Sequence, residues 1–181
     1  MKSSFLLLLA ALILFSCQET ETLETVMKKW EGKTIEFPDN KPVHIYTKDT
    51  TKYVINGNKP YKILLYVDSI GCTNCKLRLS VWKDYIEKIG SNVDFLFWFH
   101  PKKKEDELFS FLKIQRLKYP VYIDKDDKLN KLNKFPKNQM FHCFLLDKDN
   151  KVLLVGNPVF NHSLWDVYQH VVTGKIRLNN N

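Results

Sequence analysis

The sequence predicts an α/β protein, a three-layer sandwich with a mixed central sheet and a short N-terminal β extension. Three observations carry this. Apolar strand-like runs alternate with helical stripes from about residue 60 onward, the pattern of helices packed on a sheet. A Cys72-Thr73-Asn74-Cys75 pair stands where a strand runs into a helix. A strand–turn–strand stretch, Phe141 to Val155, is followed by one last amphipathic helix.

The first residues set the compartment. Lys2 precedes an apolar run from Phe5 to Phe15 that ends at Ser16-Cys17. A charged start, an apolar middle and a small residue before the cut make a secretory signal, and the run is too short to span a membrane. Residues 1–16 are therefore expected to be a signal peptide. Removing those 16 of the 181 residues leaves 165, enough for one domain with its own core.

Residues 17–32 are polar and Glu-rich at first and read as a tether leading into a short helix. Residues 33–59 read as the β extension: Lys33 to Phe37 alternates and stops at Pro38, with further short strands at Val43–Tyr46 and Tyr53–Ile55. Residues 60–175 form the main domain and 176–181 a tail.

Within the main domain, Lys62 to Val67 is a strand and Thr73 to Ile89 a helix. Its stripe is Cys75, Leu79, Trp82, Ile86 and Ile89, with Gly90 as the stop. Val93 to Phe99 is apolar almost throughout, as a central buried strand should be. Glu105 to Ile114 is a helix, Val121 to Ile123 a strand, and Asp127 to Leu132 a short helix. Phe141 to Leu146 and Val152 to Val155 are hairpin strands around Asp147-Lys148-Asp149-Asn150. Ser163 to Val172 is the closing helix.

The formal charge is +8, one less once Lys2 is gone. The lysines are scattered among acids, as in Lys125-Asp126-Asp127-Lys128, which reads as a solvated surface. No basic stripe or aromatic platform argues for nucleic acid.

There are four cysteines. Cys72 and Cys75 enclose too small a loop to remove much chain entropy as a staple; outside the cytoplasm such a pair reads as redox-active. A helix N-terminus stabilises a thiolate, the form that attacks a disulfide. Cys72, the outer residue, is expected to attack and Cys75 to resolve, with Lys76 adding a screened push in the same direction. Cys143 reads as a small core residue, or else as a third thiol near the pair. His142 is a groove-capping residue or a ligand joining the two cysteines on a metal; no third ligand stands at typical spacing, so no metal site and no cofactor are assigned. His44, His100, His162 and His170 share no motif.

Two resemblances add to this. Leu14-Phe15-Ser16-Cys17 resembles the bacterial lipobox, with Phe15 a departure from it; that resemblance implies cleavage before Cys17 and a lipid on it. The order of elements, with C-x-x-C opening the first long helix, resembles the thioredoxin fold. More narrowly it is similar to the TlpA-like, membrane-anchored thiol–disulfide oxidoreductases of bacteria. The matching stretches are Ile63-Leu64-Leu65-Tyr66-Val67 with the motif, Tyr119-Pro120-Val121-Tyr122-Ile123-Asp124, and Phe144 to Val152.

The resemblance implies a lipid-anchored enzyme of the cell envelope, acting on protein thiols or disulfides through Cys72 and Cys75. It implies a substrate groove at Thr73, Asn74, Met140 and Phe141. The chain departs from the family at Gly71, where Trp is usual, and at Tyr66, which takes the slot of a buried acid. It departs again at Phe141, where a groove-shaping, metal-excluding proline is expected; Pro136 comes five residues early. The alternatives are a copper-chaperone-like metal binder and a redox-inactive surface binding module. Peroxidase chemistry is not favoured, since the Pro and Thr of that pattern are missing from Tyr66 to Gly71.

Overall fold

The computed structural model describes residues 22–48, 53–55, 57–68, 70 and 76–176. The first helix, α1 (Leu23–Trp30), is followed by β1 (Tyr61–Asp68), α2 (Leu79–Ile89), β2 (Val93–His100), α3 (Glu105–Ile114) and β3 (Val121–Ile123). Then come α4 (Lys128–Asn133), β4 (Cys143–Asp147), β5 (Val152–Val155) and α5 (His162–Val172), with 3₁₀ turns at Gln139–Phe141 and Pro158–Phe160.

The five strands form one sheet in the order β3-β2-β1-β4-β5. β1, β2 and β3 run parallel, while β4 is antiparallel to β1 and β5 to β4. The sheet is mixed, as the sequence predicts. β1 and β2 lie inside it and are apolar on both faces, because helices cover both.

Side-chain alternation divides the core in two. Ile63, Leu65 and Val67 of β1 and Phe95, Phe97 and Phe99 of β2 meet Trp82 of α2, Leu112 of α3 and Tyr168 of α5. On the other face, Leu64, Tyr66, Leu96, Trp98 and Phe144 meet Trp30 of α1, Leu129 of α4 and Phe135. A three-layer sandwich results.

α1 is part of the second layer. Thr22 and Thr25 cap its start reciprocally, and Trp30 packs on Phe144 with ring centres 5.1 Å apart. Gly156 stands at φ +115°, a backbone conformation that other residues rarely adopt, with the side-chain ends of Leu164 and Leu23 packed over it.

The N-terminal extension pairs with the sheet through single bridges, not continuous strands: Thr34 with Lys151 and Val43 with Val121. Around the first, Gly32 N–H donates to Val152 O and Ile35 N–H to Asn150 O. The segment thus touches both edges of the sheet, β5 and β3, and occupies edge groups that would otherwise stay open.

The helix expected over Thr73–Ile89 differs most. Lys76 and Leu77 are helical, but Arg78 is left-handed (φ 37°, ψ 56°), and α2 starts only at Leu79. Leu77 and Leu79 are both buried in the first cluster. Residues two apart lie about 200° apart around an unbroken helix, so one face cannot bury both. The reversal at Arg78 lets both point inward. It costs roughly 1–2 kcal/mol for a non-glycine residue, offset in part by the Arg78 guanidinium lying 4.7 Å from the Phe160 ring centre.

Candidate functional site

Cys72, Thr73, Asn74 and Cys75 lie outside the described residues, as does Cys17. Their flanks do not. β1 ends at Asp68 and helical backbone resumes at Lys76, so the motif is confined to the link between them, at the carboxyl end of the parallel strands. That end is where open α/β sheets bind ligands.

A cleft of about 550 Å³ opens at this end. β1 contributes Leu65 to Asp68, and Lys76 comes from beyond the motif. The segment before β4 contributes Lys137 to Met140 and His142; Asn157 and Phe160 close the far side. Backbone bonds fix these walls: Tyr66 N–H donates to His142 O, and Asn157 N–H to Met140 O.

Asp68 is the polar centre of the cleft. Its Oδ1 lies 2.6 Å from Lys76 Nζ. Gln139 Nε2 donates to both of its oxygens, at 3.2 and 3.1 Å, and Ile70 N–H donates to Oδ1 at 3.1 Å. Lys76 is therefore ion-paired with Asp68, a partner that the sequence did not suggest. α2 itself begins only at Leu79, beyond the left-handed Arg78.

Met140 and Phe141 part company. Met140 lines the cleft and is 46% exposed. Phe141 is buried with Trp30 and Phe135 in the second cluster and does not line the cleft. The strand expected from Phe141 begins only at Cys143: Phe141 closes a 3₁₀ turn in which Asn138 Oδ1 accepts from Met140 N–H. His142 takes the lining position instead. Its Nε2–H donates to the Pro136 carbonyl at 2.7 Å, and its ring packs 5.2 Å from Tyr66.

Cys143, next along, points into the first cluster and is fully buried. Burial pushes its thiol far above the ordinary range, opposed in part by a hydrogen bond with Tyr168. Among the described residues no cluster of three or more His, Cys, Asp or Glu is arranged to hold a metal, and no helix is long and apolar enough to cross a membrane.

Behind the cleft, Tyr66 donates its hydroxyl to Asp127 Oδ1 at 2.5 Å. Asp124, also buried, accepts from Trp98 Nε1 and from the N–H groups of Lys128 and Leu129, and so starts α4. Neither acid carried a sequence signal beyond its place in an acidic turn.

Several solved structures share this fold. A candidate thiol:disulfide interchange protein DsbE from Chlorobium tepidum aligns over 78% of this chain and 97% of its own, at 16% identity and a TM-score of 0.52. A thioredoxin-like protein solved in its oxidised form aligns over 76% and 98%, at 12% identity and a TM-score of 0.51. This chain has the thioredoxin fold. An uncharacterised protein from Geobacillus kaustophilus has the same thioredoxin architecture, with a TM-score of 0.55 at 11% identity over 80% of this chain and 82% of its own. No family model matches the sequence, and no curated protein does. In thioredoxin terms, β1 is the strand that leads into the cysteine motif.

Proposed function

We propose that the protein is an extracytoplasmic thiol–disulfide oxidoreductase, anchored by a lipid on Cys17 and working through Cys72 and Cys75. The observation that carries the reading is the position of the motif. In sequence, Cys72-Thr73-Asn74-Cys75 falls between Asp68, the end of β1, and Lys76, and both of these flanking residues line the cleft of about 550 Å³. The structural neighbours described as thiol:disulfide interchange and thioredoxin-like proteins support it at the level of fold.

In the reducing direction the Cys72 thiolate attacks one sulfur of a substrate disulfide. A mixed disulfide forms and the other substrate sulfur leaves as a thiolate, which takes up a proton. The Cys75 thiolate then attacks Cys72 Sγ, forming the Cys72–Cys75 bond and releasing the second substrate thiol. Two electrons pass from the pair to the substrate, and a dithiol reductant of the envelope must restore the pair. The opposite direction runs the same steps backward. The substrates are protein thiols or disulfides, held by the cleft wall around Met140 and His142.

Capture tests this. Cys75→Ser leaves an attacking thiol with nothing to resolve it, so envelope proteins should be trapped as reductant-sensitive adducts on Cys72. Cys72→Ser should trap none. Equal capture by both variants, or by neither, contradicts the proposal.

A further inference from the structure

Seven residues, 69 to 75, separate Asp68 from Lys76, and the motif lies among them. One carboxylate receives both arms of this link together with the turn that faces it. Ile70 N–H comes from the first arm, Lys76 Nζ from the second, and Gln139 Nε2 from the 3₁₀ turn before β4. The two charged side chains are 13% and 21% exposed, so solvent screens them less than a surface pair. We propose that Asp68 is a positioning residue for the cysteine pair, cancelling the Lys76 charge beside Cys75 and fixing how readily the thiols ionise. This rests on the redox reading above.

The charge argument makes the role separable from simple bracing. Cys75 immediately precedes Lys76 in the sequence, so a Lys76 ammonium without its counter-ion is an added positive charge next to the motif. A nearby cation favours a thiolate and a nearby anion disfavours it. With Asp68 and Lys76 paired, the two effects cancel. Asp68→Asn keeps an acceptor oxygen for Ile70 and Gln139 while freeing the positive charge. Lys76→Met removes the cation and leaves the carboxylate. A brace with no electrostatic role would respond alike to both, since each variant breaks the same contact.

The test is the pH dependence of iodoacetamide alkylation at Cys72, followed by peptide mass spectrometry in the full mature chain. Below the wild-type midpoint, Asp68→Asn should react roughly threefold to tenfold faster, corresponding to half to one pKa unit. Lys76→Met should react slower by a similar factor. The double variant, with no net charge change, should return to within about twofold of wild type, as expected when two opposite charges act on the same group. Gln139→Leu removes a neutral donor and should leave the rate near wild type; with Lys76→Met it decides the matter if Asp68→Asn fails to fold. Shifts of both single variants in the same direction, or no shift in either, overturn the inference. Alkylation does not require turnover. A wild-type pair that never forms a disulfide in a redox buffer would instead refute the oxidoreductase reading.

Discussion

The Tyr66 hydroxyl reaches across 61 residues to donate to Asp127 Oδ1 at 2.5 Å. It joins the strand that leads into the cysteine motif to the start of α4. The slot that resembles a buried acid in related sequences here holds a phenol, and an acid from elsewhere in the chain meets it. Burial first, then Asp127, keeps this phenol protonated far above its ordinary range. Tyr66→Phe keeps the ring packing on Phe135 and removes one hydrogen bond to a charged group. Denaturant unfolding should show a loss of about 1.5–3 kcal/mol; a change under about 0.5 kcal/mol would mean the bond contributes nothing net.

Alkaline pH should unfold the protein. Burial raises Tyr66, Tyr168 and Cys143, and pushes Tyr119 up to about 12. A group whose folded-state pKa is raised stabilises fully below its unfolded value and loses that contribution as pH climbs toward the folded value. The unfolded values are about 8.5 for Cys and 10 for Tyr. Stability should hold to about pH 8 and then fall, by roughly 1.4 kcal/mol per pH unit for each group in its window. Urea midpoints measured from pH 7 to 11 check this; a flat profile would contradict it.

The wall of the cleft gives a contrast between neighbours. Phe141→Ala empties a buried ring site and should cost roughly 3–5 kcal/mol. Met140→Ala lies at the surface and should stay within about 0.5 kcal/mol, yet raise the KM for a protein disulfide. Phe141→Pro would not open a groove. It would remove the N–H that Phe141 donates to Asn138 O. Melting curves and turnover of the two alanine variants read both effects, and an unchanged KM for Met140→Ala would remove that residue from the substrate surface.

These outcomes mark what a sequence can carry. β2, β3, β5 and α3 were legible almost to the residue because apolar runs are bounded by strong punctuation, such as Gly90 before β2 and Pro120 before β3. The break at Arg78 was hidden. The stripe through Cys75, Leu79 and Trp82 is regular without Leu77, and only the burial of Leu77 together with Leu79 betrays the reversal. Alternation over 33–37 was real in that Ile35 and Phe37 pack in the second cluster, yet Thr34 makes an isolated bridge with Lys151 and not a strand. The strand that ends just before the motif was visible, β1 closing at Asp68. Asp68, Gln139 and Asp127 were not, because their roles depend on partners brought together by the sheet.

Anchoring is tested apart from catalysis. Cys17→Ser should move the protein from the detergent-requiring membrane fraction to the soluble one without changing its melting curve, since the described core begins at Val26. Unchanged fractionation would rule out the lipid anchor.

The most direct test of the central claim is equilibration in glutathione buffers of graded potential, with differential alkylation resolved by peptide mass spectrometry. The account predicts that Cys72 and Cys75 convert together between dithiol and disulfide as one two-electron couple. Cys143, fully buried, should stay unlabelled until the protein unfolds. Two cysteines that remain thiols throughout, each alkylated at the rate of a free thiol, would contradict it.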